Sequence, residues 1–216
     1  MKIALVTSIF GGFDVPKPLP EQSHPYDSFL FNEKSGFLFR EELNNRFRAK
    51  YFKYQQHNIH ELKAYDAYVW MDGSFLIKSE NFIEYMARQV RDYDLAITLH
   101  NKRDCVYDEI NYIVKDNGGY LNDRYGKEKP LMVQQGEDYR KAGMPKNWGL
   151  FCGGMFARKN TPHVNRAMDD IWIDNIRYAS QDQNPLPFHC WRHNLKVNRL
   201  DLDIVRNYFW ELKHHA

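Results

Sequence analysis

Tyr68-Val69-Trp70-Met71-Asp72-Gly73-Ser74-Phe75 decides the fold class. An apolar run ends abruptly in one acid, one glycine and one hydroxyl residue. Open α/β sheets bind ligands outside the carboxyl ends of their strands, so a buried strand delivering one carboxylate there builds a site. Asp72 in that position can hold a divalent cation, and the cation a diphosphate, which points to chemistry on a nucleotide or nucleotide-sugar. Asp-Gly is also a common turn pair, so a plain turn aspartate accounts for the same residues.

Outward from this stretch, apolar runs alternate with helical patterns. Residues 2–9 (KIALVTSI), 66–71 and 94–99 (DLAITL) read as buried strands, and 149–157 and 195–200 as two more. Phe82, Tyr85, Met86, Gln89, Val90 and Tyr93 fall on one helical face, giving a helix over about 80–92. Further helices are expected at roughly 37–54, 105–116 and 162–176, and from near Ser180. Residues 11–36, with Pro16, Pro18, Pro20 and Pro25, read as an irregular insert, and 118–130 as a Gly-rich polar loop. Strands alternating with helices give an α/β fold with a partly parallel sheet, in one domain over 1–216.

Bulk properties narrow the function classes. The chain has 216 residues, enough for one domain with a substantial core. Its 30 basic and 28 acidic residues nearly cancel, so nothing calls for a nucleic-acid partner. Cys105, Cys152 and Cys190 are widely spaced and odd in number, which fits reduced thiols and a cytoplasmic location. No stretch approaches the roughly 18 apolar residues of a membrane span, and no targeting segment is visible at Met1. The expectation is a soluble protein or a module of a larger chain.

Four polar constellations carry the chemistry. Phosphatases of the haloacid dehalogenase type also place Asp-Gly-Ser/Thr after a strand, but need a nucleophilic aspartate two residues earlier. Trp70 occupies that position here and cannot form an aspartyl-phosphate. Ser180-Gln181-Asp182-Gln183 reads either as a helix cap or as a carboxylate at the floor of a site, with Asp182 as general base toward an acceptor hydroxyl. His189, seven residues on, would then complete a metal site begun by Asp72, or be structural. Arg46-Phe47-Arg48-Ala49-Lys50-Tyr51-Phe52-Lys53 interleaves basic and aromatic residues, as a single-stranded nucleic-acid site would. One basic helix in a nearly neutral chain is poor support for that. A solvated helix face is the bland reading, and cations for a diphosphate fit better. His100 and Arg103, directly after a strand, can contact phosphate or sugar, or pair with Asp104, Asp108 or Glu109.

In this order the constellations resemble the GT-A-like glycosyltransferase family found in plant cell-wall proteins and bacterial polysaccharide loci. The resemblance rests on Arg48 to Lys53, Trp70-Met71-Asp72-Gly73-Ser74, the string from His100 through Arg103, Cys105 and Tyr107 to Glu109, and Trp172 followed by Ser180, Asp182 and Gln183. It spans about residues 46–190. It implies a GT-A fold with a nucleotide-binding half over about 1–100 and an acceptor-binding half over about 101–216, joined by one mixed central sheet.

It also implies transfer of a hexose or deoxyhexose from a UDP-sugar to a glycan or glycoprotein acceptor, with Mn²⁺ or Mg²⁺. Thr7, Ser8 and Ile9 would hold the uracil and ribose. Arg48, Lys50, Asp72, Gly73, Ser74, His100, Arg103 and Gln183 would complete the donor site, with Asp72, Ser74 and His189 as metal ligands. Asp-Gly-Ser lacks one carboxylate of the usual metal motif, so the family's ligand set is incomplete here. Asp182 would be the base if the reaction inverts configuration, or line the donor face with Gln183 if it retains it. A non-catalytic nucleotide-sugar or glycan-binding module of the same shape is the alternative.

Overall fold

The structure, a computed structural model, describes residues 1–36 and 43–213. A six-stranded sheet runs in the order β2-β1-β3-β6-β5-β7: β1 is Ile3–Ser8, β2 Asp27–Phe31, β3 Ala67–Met71, β5 Leu95–Leu99, β6 Phe151–Lys159 and β7 Val197–Leu200. All are mutually parallel except β6, which pairs antiparallel with both β3 and β5. β1, β3 and β5 therefore end, and β6 begins, along one edge. β4 (Phe75–Ile77) and β8 (Trp210–Leu212) form a small antiparallel pair.

The helices are α1 (Asn45–Tyr54), α2 (Phe82–Gln89), α3 (Val106–Lys115), α4 (Tyr120–Tyr125), α5 (Lys129–Lys141), α6 (Pro162–Arg177) and α7 (Pro185–Arg192). Local chemistry sets two of the starts. The Asn44 side chain accepts from Phe47 N at 3.1 Å and caps α1. Thr161 caps α6, with Pro162 in the first turn, where its missing N–H has no intrahelical role.

The strict period of two along the strands divides the core between the sheet's two faces. Ala4, Val6, Tyr68, Trp70, Ile97 and Phe156 join α1, α6 and α7 on one side. Ile3, Leu5, Val69, Met71, Ala96 and Met155 join α2 and the β4–β8 pair on the other, where Trp210 is fully buried. A third cluster, between α3, α5 and α7, stacks Tyr139 on Phe188 with ring centroids 3.7 Å apart.

The expected single α/β domain with a mixed sheet and flanking helices is present. β6 comes from the second half of the chain yet lies between β3 and β5 of the first, so the two halves share one sheet. Three local expectations need correction, and two short strands were not expected. The 11–36 insert contains β2, an edge strand exposed along most of its length and therefore lacking an apolar run. The 118–130 loop is α4 and the start of α5, α4 opening after Gly119. The last helix begins at Pro185, because Ser180 to Asn184 form a turn. β4 and β8, three residues each, were too short to give a pattern. The 37–42 part of the expected first helix lies outside the described residues.

The cysteines are all free and buried. Among the described residues no helix is long and apolar enough to cross a membrane.

Phe52 of α1 is fully buried, stacked 4.2 Å from Phe31 and 5.7 Å from Phe10 by ring centroids. Phe52→Ala should cost about 3–5 kcal/mol by the lost transfer energy and the cavity left behind. Urea denaturation measures this, and a cost below 1 kcal/mol would show that the helix does not depend on this stack.

Candidate functional site

α1 presents Lys50, Lys53 and Tyr54 on one face, since residues three and four apart in a helix are neighbours. All three converge on one carboxylate oxygen, Asp182 Oδ2. Lys53 Nζ lies at 2.6 Å, Lys50 Nζ at 3.0 Å, and the Tyr54 hydroxyl donates to it at 3.0 Å. Asp182 is brought there by the Ser180–Asn184 turn, which is itself anchored. Arg46 Nη1 donates to Ser180 Oγ at 2.6 Å, and Ser180 N donates to Glu128 at 2.8 Å. Ser180 thus fixes a turn and caps no helix.

Asp72 lies at the edge of this cluster, 3.6 Å from Lys53 Nζ by Oδ1. The same oxygen accepts from Trp70 Nε1 at 2.7 Å. The Asp72 side chain is 40% exposed, whereas that of Asp182 is 11% exposed. Asp72 therefore faces the open side and Asp182 the floor. Between them runs β6, whose register against β5 shifts between Phe151 and Phe156, a span that contains Gly153-Gly154. A Cβ at Gly153 would stand 3.2 Å from Lys53 Nζ and 3.3 Å from Asp182 Oδ2. At Gly154 it would stand 2.8 Å from the Phe75 ring. Glycine at both positions keeps the space that the ammonium groups and Phe75 occupy.

The electrostatics follow from this packing. Burial pulls the Lys50 ammonium down, only partly opposed by Asp182, and its pKa falls to about 8. Burial also acts on Lys53, but Asp182 and Asp72 together outweigh it and raise that group. Burial opposes charge on Asp182, yet the two lysines hold its carboxyl well below the usual carboxylate range. A carboxylate so strongly stabilised is a weak proton acceptor. In this arrangement Asp182 is the counter-ion that holds two cations side by side.

A second group sits beyond β5. His100 Nδ1 accepts from the backbone N–H groups of Lys102 and Arg103 at 3.2 and 3.1 Å, fixing the turn. Arg103 pairs with buried Glu109 and lies 4.1 Å over the Tyr112 ring. His100 and Arg103 line an open cleft of about 550 Å³ with Tyr112 and Tyr120. The lysine–aspartate cluster lies outside that lining. Gln181 joins the two areas, donating to Glu109 at 3.3 Å and to Gln183 at 2.8 Å.

Of the expected donor residues, Thr7, Ser8 and Ile9 are buried at the same edge. Ser8 donates to Ala49 O at 3.1 Å, and Ile9 packs on Gly73. Arg48 is two positions from Lys50, hence on another face of α1, where it contacts Asn45 and feels Glu33. Lys53 and Tyr54 are the members the expected site list lacks, although their spacing from Lys50 was a readable signal.

The expected metal set of Asp72, Ser74 and His189 is not assembled. Ser74 is buried, and its carbonyl accepts from Lys213 N at 2.8 Å. His189 turns to α6 instead, with Nε2 donating to Asp174 at 2.8 Å. One candidate ligand atom each from Asp170, His189 and His193 lies within 4.8 Å of the others. Asp72 is left as one carboxylate already facing an ammonium and an indole N–H. That donor set does not fit the implied divalent ion at Asp72.

Asp182→Asn should destabilise the fold by about 3–5 kcal/mol at pH 7, because it strands two buried ammonium groups. The sign with pH follows from the lowered carboxyl. Its contribution is complete above its unfolded pKa of about 3.9 and is lost as pH falls below that. Wild type should lose stability from about pH 4 downward in a way the variant does not, as urea titrations at several pH values would show. Equal acid sensitivity would mean that Asp182 does not hold the lysines in place. No protein-family model matches the chain, and no curated protein matches it.

Proposed function

We propose that this chain is a GT-A-type glycosyltransferase that moves a hexose or deoxyhexose from a UDP-sugar to a hydroxyl of a glycan or glycoprotein acceptor. The observation that carries the proposal is the convergence of Lys50, Lys53, Asp72 and Asp182 at the carboxyl edge of the sheet. Three of the sequence constellations meet there, and the fourth lines the adjoining cleft. The single mixed sheet shared by both halves supports the same reading.

Donor transfer requires charge developing on the departing diphosphate to be met by fixed cations. Lys50 and Lys53 are such cations, close-packed and oriented before any ligand arrives. Asp182 keeps them together, and Asp72 faces the open side, where the sugar would lie. The cleft by His100 and Arg103 offers cationic and aromatic groups to a saccharide. Mn²⁺ or Mg²⁺, if used, would enter with the diphosphate, and no step here is assigned to it. The strong pairing of Asp182 favours, as a second reading, a nucleotide-sugar-binding module without turnover. Transfer of glucose or rhamnose from the UDP-sugar to an acceptor separates the two.

Calorimetric titration of UDP tests the donor site, with and without Mn²⁺. Lys50→Met or Lys53→Met should weaken binding roughly tenfold or more, as expected for loss of a charge-assisted contact. Lys50 carries its proton below its pKa of about 8, so affinity should fall as pH rises through that value. In Lys50→Met that fall should vanish. No UDP binding under any of these conditions would overturn the proposal.

A further inference from the structure

We infer that the α6–α7 seam is a binding site for one divalent transition metal of the zinc type, separate from the lysine–aspartate cluster. α6 offers Asp170 and Asp174, four residues apart, and α7 offers His189 and, at its C-cap, His193, also four apart. Each pair therefore lies on one helical face, and the two faces meet. His193 Nε2 lies 2.7 Å from Asp170 Oδ2, and His189 Nδ1 lies 3.9 Å from the same oxygen.

The independent sign of a ligand is His189 itself. It is 3% exposed, and its Nδ1 is buried without a hydrogen-bond partner. Its other nitrogen is committed, because Nε2 donates to Asp174 Oδ2 at 2.8 Å. In the neutral ring that bond places the proton on Nε2 and leaves the lone pair on Nδ1, in the space shared with Asp170 and His193. Asp174 is fixed in turn by the Tyr139 hydroxyl, which donates to it at 2.7 Å and accepts from Gln135 at 2.8 Å. A carboxylate behind a histidine whose far nitrogen is bare is the arrangement that orients imidazole ligands toward a metal.

Distances and donor types select the ion. Ligands around a tetrahedral ion at about 2.0–2.1 Å stand roughly 3.3–3.4 Å apart. The 2.7 and 3.9 Å separations from Asp170 bracket that spacing, and the two imidazoles, within 4.8 Å of each other, must rotate toward one another to reach it. Two imidazoles and one carboxylate suit zinc or cobalt better than magnesium or calcium, which prefer oxygen. Asp170 is 42% exposed and leaves a fourth position to water. On binding, His193 Nε2 gives up its hydrogen bond to Asp170 and coordinates as the neutral imidazole. The ion clamps α7 to α6 behind the turn that carries Asp182.

The test uses the full chain, stripped with EDTA, titrated calorimetrically with Zn²⁺ and followed by Co²⁺ absorption in the visible. Wild type should bind one equivalent and show the spectrum of a four-coordinate ion. Asp170→Asn and His193→Gln, both at partly exposed positions, should each weaken binding by at least tenfold. Asp174→Asn should weaken it by roughly 10–100-fold, as for loss of a residue orienting a ligand. A His214→Ala/His215→Ala variant should bind as wild type does, which separates the seam from the C-terminal histidines. Absence of Zn²⁺ binding by wild type would overturn the inference. So would undiminished binding by both Asp170→Asn and His193→Gln, or loss confined to the C-terminal variant.

Discussion

One oxygen atom, Asp182 Oδ2, holds the candidate site together. It receives two ammonium groups and a phenol from consecutive turns of α1. Lys50 and Lys53 repel each other, and neither would remain charged at such depth without a shared anion. Burying an ion pair is justified only when its remaining hydrogen-bonding capacity is also met. Tyr54 adds a further donor to that oxygen, and Asp72 draws on Lys53 from the open side. The result is a buried group in which two lysines and two aspartates balance in charge.

The sheet makes this meeting feasible. α1 follows the edge strand β2, while the Asp182 turn lies about 130 residues further on, separated from Tyr54 by 128 positions. The reversed β6 bridges them, because its N-terminal end enters the edge where β3 and β5 stop. Asp72 N donates to Gly154 O at 2.8 Å, tying the carboxylate-bearing strand end to the glycine pair. Any side chain at those glycines would intrude on Lys53 or Phe75. The register break between β5 and β6 and the two glycines are thus parts of one local arrangement.

Two polar networks lie close together with opposite character. In the first, two ammonium groups and a phenol surround one carboxylate. In the second, between α6 and α7, acids face imidazoles, which suits an incoming cation. A hydrogen-bond chain joins them: Asn184, two residues after Asp182, donates to Gln135 at 3.1 Å, and Gln135 donates to Tyr139, which holds Asp174. His189 belongs wholly to the second network. Its partner is decided by α7 beginning only at Pro185, so the turn before it separates the directions of Asp182 and His189.

What the sequence determined by itself was the α/β class, the buried strands and the main amphipathic helices, because burial on both faces demands long apolar runs and helices repeat at 3.6 residues. It also supplied Asp72 at a strand end, and Lys50, Asp182, His100 and Arg103 as candidate polar groups. β2, β4 and β8 escaped it, since an exposed edge strand and three-residue strands leave no periodic mark. So did α4, whose pattern is hidden by Gly118-Gly119 and polar residues. The i, i+3 and i, i+4 spacings of Lys50, Lys53 and Tyr54, and of His189 with His193, were readable. Their partners were not. Only the tertiary structure paired α1 with the Asp182 turn and α7 with Asp170 and Asp174, because such contacts depend on the path of the reversed β6 and on where a turn ends, neither of which local periodicity records.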